Sequence, residues 1–199
     1  MRLQVGLACL ASVLFAACSG GDDGGSNGGP DGGGSGSSTP DAFVPPQANC
    51  APLDLGAAPA IPIMNGTVTP NPQAGTLHSG TFKLTSAKLD ALGIQVTGTV
   101  KSRVELVTGT ATTGAARVAV SIDGTALNMS IMQDVAGAGL YTITTTDLNI
   151  VDGCGGSNTL PTLTYTAASS ALTLWTTYQV MTTNFGTIPV PIELVFTPE

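Results

Sequence analysis

From about residue 80 onward the chain alternates apolar and polar residues with a period of two. Val118, Val120 and Ile122 alternate with Arg117, Ala119, Ser121 and Asp123, and Leu127, Met129 and Ile131 alternate with Asn128, Ser130 and Met132. This alternation puts successive side chains on opposite faces of a strand with one face buried. Asp123-Gly124 stands between the two runs and predicts a type I′ turn, which needs positive φ at both central residues. Further strands are predicted over 81–87, with Phe82 and Leu84 on one face, over 104–108, with Val104 and Leu106 together, and over 140–150, with Tyr141 and Ile143. Strands over 162–167 and 171–178 are expected to join at Ala168-Ser169-Ser170. The last, over 190–197, sets Ile192, Leu194 and Phe196 against Glu193. No helical repeat reaches three turns. Residues 51–79, rich in Pro and Gly, predict extended or irregular chain around the domain. Short strands at close spacing indicate an all-β domain, a barrel or a sandwich.

The first 49 residues follow other rules. Arg2 precedes an apolar run from residue 3 to 17, broken only by Gln4 and Ser12. A bilayer span needs about 20 apolar residues, so this run is too short to cross and suits a signal peptide, residues 1–17. Residues 19–49 are mainly Gly, Ser, Asp and Pro. Such a segment cannot bury enough apolar surface to offset its ordering entropy. As a flexible coil it reaches roughly 30 Å, a tether in length and composition. Its glycines do not form a phosphate loop, because no strand precedes them and no Gly-Lys-Ser/Thr follows. Residues 50–199 remain for one β domain with a single core.

Phe15-Ala16-Ala17-Cys18, at the end of the apolar run, resembles the lipobox of bacterial lipoproteins. Ala16 and Ala17 match its small residues, and Phe15 departs from the usual Leu. The resemblance implies cleavage before Cys18 and acylation of that cysteine and of the new amino terminus. Two or more acyl chains make a lasting anchor where one holds only marginally. The mature protein is then expected to sit on a membrane through its N-terminal lipid. Ser19, where Asp would favour inner-membrane retention, resembles the outer-membrane class. The expected address is the cell envelope, on the outer membrane. The chain has four cysteines. If Cys9 leaves with the signal peptide and Cys18 takes lipid, Cys50 and Cys154 remain and are expected to pair in an oxidising compartment. Their loop of about 100 residues would give roughly 4–5 kcal/mol in the chain-entropy model.

The stretch "SGTFKLTSAKL" (residues 79–89), with "LTYTAASSALTLW" (163–175) and "IELVFTPE" (192–199), resembles the bacterial lipocalin-like domains in order of elements. The resemblance implies an antiparallel up-and-down barrel of about eight strands whose interior could hold one small apolar ligand. Phe82 stands where classical lipocalins have Trp, and the last strand lacks their Arg. The alternative is a β-sandwich. An immunoglobulin-like one would want a closer pair of cysteines with a Trp between them, and here Trp175 follows Cys154.

Composition narrows the functions. Only 10% of residues are charged and the net charge is −7, to which the linker aspartates Asp22, Asp23, Asp31 and Asp41 contribute −4. No basic patch can follow a phosphate backbone, so nucleic acid is not an expected partner. One histidine, His78, beside Ser79 and not far from Ser86, is a poor basis for a triad and reads as a loop residue. The acids Asp90, Glu105, Asp123, Asp134, Asp147, Asp152 and Glu193 are scattered rather than paired for glycosidase work. Asp147 with Asp152 is a weak calcium candidate. Two cysteines and one histidine are too few ligands for zinc. The reading is of a protein that is not an enzyme and has no cofactor or metal. The ligand-lining residues expected of a barrel are Phe82, Tyr141, Tyr165, Trp175 and Tyr178, although aromatics of this kind commonly serve as core. Two roles stand: a lipid-anchored barrel that binds a small apolar molecule, or a structural or interaction lipoprotein with a filled core.

Overall fold

The computed structural model describes residues 50–199 except 52, 92, 127, 128, 153–162 and 183–185, and gives only the backbone path at 129, 131, 133, 135, 152, 178–182 and 186–188. The expected signal peptide, Cys18 and the tether lie outside the described residues, as does Cys154.

Strands β1 (Ile61–Asn65), β2 (Gly80–Leu89), β3 (Val96–Thr108), β4 (Thr113–Ala126), β5 (Met129–Thr144), β6 (Asp147–Asp152), β7 (Leu163–Ala168), β8 (Ala171–Thr182) and β9 (Gly186–Pro198) form a single sheet. No helix occurs among the described residues. From β2 to β9 each strand pairs antiparallel with the next. β9 then pairs antiparallel with β2, and the sheet closes in a ring. Closure satisfies the backbone groups that an edge strand would leave open.

β1 is a strand that the alternation did not announce, because Pro62 interrupts its signal. β2 and β3 pair only from Gly80 opposite Leu106 to Lys83 opposite Arg103. Beyond that rung β1 fills the wedge between them. Ile61 and Pro62 lie opposite Val100 and Thr99 of β3, and Ile63, Met64 and Asn65 run parallel to residues 87–89 of β2. Asn65 finishes this ladder with its side chain: Nδ2 donates to Val96 O at 2.6 Å, and Oδ1 accepts from Val96 N at 2.8 Å. A side-chain amide offers the same donor–acceptor pair as a peptide group.

The inner face begins as the period-two reading has it, with Phe82 and Leu84 buried in β2. Continued strictly, the period would turn Ser86 and Lys88 inward. A register shift between Leu84 and Ser86 against β9 prevents this and buries Ala87 and Leu89 instead. An extra residue on one strand of an antiparallel pair exchanges its two faces in this way. Thr85 Oγ1 donates to Val195 O at 3.1 Å at the shift.

Two expectations are corrected. Asp123-Gly124 is not a turn: β4 runs straight through it, with Gly98 opposite Gly124 on one side and Met132 opposite Asp123 on the other. The chain reverses later, between the paired residues Ala126 and Met129. Gly124 is required by contact instead. A Cβ there would stand 2.6 Å from Thr97 O, and one on Gly98, whose φ is +139°, would stand 2.3 Å from Gly124 Cα. The two backbones cross too closely for side chains. The strand expected over 140–150 is also two strands. β5 and β6 meet at Thr144 opposite Asp147, and the reversal passes through Thr145 at φ 55°. A β-branched residue at positive φ is uncommon, and no Gly, Asn or Asp announced that turn. The hairpin expected at Ala168-Ser169-Ser170 is present, with Ala168 opposite Ala171.

Two arginines of β3 and β4 hold Ala51 and Asp54 of the segment before β1. Arg103 Nη1 donates to Asp54 O at 2.6 Å, and Arg117 Nη1 donates to Ala51 O at 3.2 Å. Arg103 also pairs with Glu199, and Arg117 with Glu105.

Candidate functional site

The two ends of the ring are filled differently. At one end Tyr141, Tyr165, Phe196, Leu84 and Leu172 are the largest fully buried side chains. Leu84, Phe196 and Leu172 stand on one rung across β2, β9 and β8. The Tyr141 ring lies against Gly114, where a Cβ would stand 2.4 Å from the phenol oxygen. Tyr165 Oη donates to Gly75 O at 3.1 Å, which ties the segment before β2 to this end. Burial, and then the neighbouring Tyr165, raise the Tyr141 phenol above its ordinary value of 10.0. Burial raises Tyr165 as well.

Past the Leu84 rung no aromatic side chain lines the interior among the described residues, and an apolar cavity of about 110 Å³ opens inside the ring. Leu89, Val96, Ile122, Leu174 and Ile192 are among its walls, and Gly124 contributes backbone. Gly124, at its close approach to Gly98, therefore borders the void. Two polar side chains open on the same space: Ser102 of β3 and Thr176 of β8. Their hydroxyl oxygens are buried and have no hydrogen-bond partner, as has Tyr141 Oη at the packed end. No carboxylate lines the cavity among the described residues, and its one cation, Lys88, lies opposite Glu193 in register.

The aromatics expected as ligand-lining sit elsewhere. Phe82, Tyr141 and Tyr165 belong to the main hydrophobic core. Trp175 alternates with Leu174 and Thr176, so it faces away from the cavity, and its Nε1 donates to Glu193 Oε2 at 2.8 Å. Of Tyr178 only the backbone path is described. None of the four described side chains lines the void. What sequence reasoning missed is the pair Ser102 and Thr176. Their signal was a hydroxyl at a position whose strand neighbours two residues away, Val100 and Val104, or Leu174, are buried.

His78 and Ser79 line a wider, more polar groove of about 410 Å³ at the packed end, with Phe82, Ser169 and Glu199. Ser79 Oγ is engaged with Thr108, at 2.7 Å from its hydroxyl and 2.9 Å from its backbone N. Glu199 is taken by Arg103. Asp147 and Asp152 stand at opposite ends of β6. At about 3.3 Å per residue they lie roughly 16 Å apart and share no site. Among the described residues no three His, Cys, Asp or Glu side chains gather as metal ligands would.

No protein-family model matches this chain, and no curated protein matches it.

Proposed function

We propose that this chain is a lipid-anchored lipoprotein of the cell envelope, held at the outer membrane by acylated Cys18, whose β domain binds a small apolar molecule. We read the ring of β2 to β9 as an up-and-down barrel of the lipocalin kind. Sequential antiparallel pairing and the return of β9 to β2 support this reading over a sandwich. The observation that carries the binding function is the apolar cavity of about 110 Å³ beside an end filled by aromatic and leucine side chains. Ligand sites are concave and mostly apolar, with a few placed polar groups. Cys50 is engaged rather than free, in keeping with the proposed bond to Cys154 at the start of the domain.

Native mass spectrometry of the protein taken gently from its own membrane tests the binding function. A co-purifying mass of a few hundred daltons is expected, and its absence across several conditions overturns the reading. Cys18→Ser should release the protein from the membrane or block its processing. Unchanged attachment refutes the anchor.

An interaction role has one observation in its favour. Val107, Ala115, Leu140 and Val151 form a continuous cross-strand row on the outer face, in which Val107, Leu140 and Val151 are 45%, 40% and 54% exposed.

A further inference from the structure

We propose that the apolar row on the outer face, Val107, Ala115, Leu140 and Val151, is the docking site of the chain's own segment Phe43-Val44-Pro45-Pro46. Val107 lies opposite Ala115, Ala115 opposite Leu140, and Leu140 opposite Val151, so four neighbouring strands present one unbroken apolar line. Directly opposed side chains of this kind stand about 4.5–5.5 Å apart. Val107, Leu140 and Val151 are exposed, and Ala115, the smallest of the four, forms the floor of a dip between Val107 and Leu140. A stable dimer buries about 800 Å² on each partner, far more than three half-exposed aliphatic side chains and one methyl can offer. A segment of a few residues suits the row better.

The chain brings such a segment to the spot. Arg117 holds Ala51 O, and Arg103 holds Asp54 O. Arg117 and Ala115 share the outer face of β4, two residues apart, whereas Arg103 lies four residues from Val107 along β3. Followed backward from Asp54 to Ala51, the anchor points approach the row. The proposed bond of Cys50 to Cys154 keeps to the same side, since Cys154 follows β6, the strand of Val151, by two residues. Composition gives a second reason. Residues 19–41 contain no Val, Leu, Ile, Met or aromatic side chain, and a tether needs none. Phe43 and Val44 break that pattern just before the domain. Pro45-Pro46 favours an extended backbone and has little conformational freedom to lose on docking. Phe43 lies eight residues before Ala51, a reach of up to about 26 Å. Val151, two strands across and two residues along from Arg117, lies roughly 12 Å from it. Docking would end the free tether at residue 42 and close this face to other partners.

The test uses residues 18–199 carrying Cys18→Ser, which keeps the tether and the domain together without lipid. Chymotryptic cleavage after Phe43 is timed by mass spectrometry in this chain and again with Leu140→Thr and Val151→Thr added. Both positions are exposed, and threonine suits a strand. Cleavage is expected to quicken roughly fivefold or more once the row is polar, because the segment loses its apolar partner. In NMR spectra, Phe43→Ser should shift the methyl signals of Val107, Leu140 and Val151 and leave those of the buried Leu84 in place. This substitution lies outside residues 50–199, so it decides alone should the threonine variant fail to fold. Equal cleavage rates in a folded variant, or row methyls that ignore Phe43→Ser, overturn the docking. Row methyls that move with protein concentration overturn it in favour of a second copy. Row methyls that move on adding phosphatidylcholine vesicles overturn it in favour of a lipid surface.

Discussion

The packed end of the ring and the cavity end are made from the same strands. β2, β3, β4, β8 and β9 contribute to both, yet one end is closed by aromatic and leucine side chains and the other keeps a void. The difference lies in which residues occupy the inward positions. Tyr141, Tyr165 and Phe196 fill the first end, while Gly124, Ser102, Thr176 and aliphatic side chains, with no aromatic among them, line the second. Closure of a ring therefore does not decide whether its interior is core or container. Side-chain volume, rung by rung, decides it.

The sharpest way to break this contrast is to truncate one side chain at each end. Phe196→Ala should cost about 3–5 kcal/mol, as for a fully buried aromatic whose site cannot collapse. Ile192→Ala, on the cavity wall, should cost about 1–2 kcal/mol, because part of its surface already faces empty space. Both are read from urea unfolding midpoints. Equal costs would mean that the ends are packed alike.

Gly98→Ala comes next. Its Cβ would press on Gly124 Cα at a φ of +139°, and strain of this kind costs on the order of 1–3 kcal/mol. If Asp123-Gly124 formed a hairpin tip, Gly98 would tolerate alanine. An unchanged midpoint would therefore restore the turn and remove the close crossing beside the cavity.

The smallest effect at neutral pH is expected from Tyr141→Phe, which removes an unpaired buried hydroxyl and should leave the melting temperature unchanged or slightly higher. The difference appears in alkali. The folded phenol titrates above 10.0, so the neutral form favoured by folding is fully present below that pH. As pH rises past 10.0 the unfolded state loses its proton first, and stability falls until the folded value is passed. Tyr141→Phe should flatten this alkaline loss in a series of melting curves. An identical pH profile would place the burden on other groups.

How much of this was legible in the sequence follows from the range of the forces. Alternation within β2, β4, β8 and β9 identified the strands and most inward residues, because period two is a local property. The Ser169-Ser170 reversal was legible for the same reason. Gly124 was misread because an Asp-Gly pair between two alternating runs looks alike whether it turns the chain or admits a neighbouring backbone, and the neighbour, Gly98, is distant in sequence. β1 was missed because its reason to exist is the wedge between β2 and β3, a tertiary fact. For the cavity, alternation says which residues face inward. It does not say whether they meet, and so Phe82, Tyr141 and Tyr165, expected along its wall, proved to be packed core, and Trp175 turned outward.

Xenon makes the contrast between the two ends directly visible, since it enters dry apolar voids and not close-packed core. In crystals of the domain under xenon pressure, one site is expected between Leu89, Val96, Ile122 and Ile192, with none between Tyr141, Tyr165 and Phe196. Xenon at neither end, or at both, would contradict a ring that is packed at one end and a container at the other.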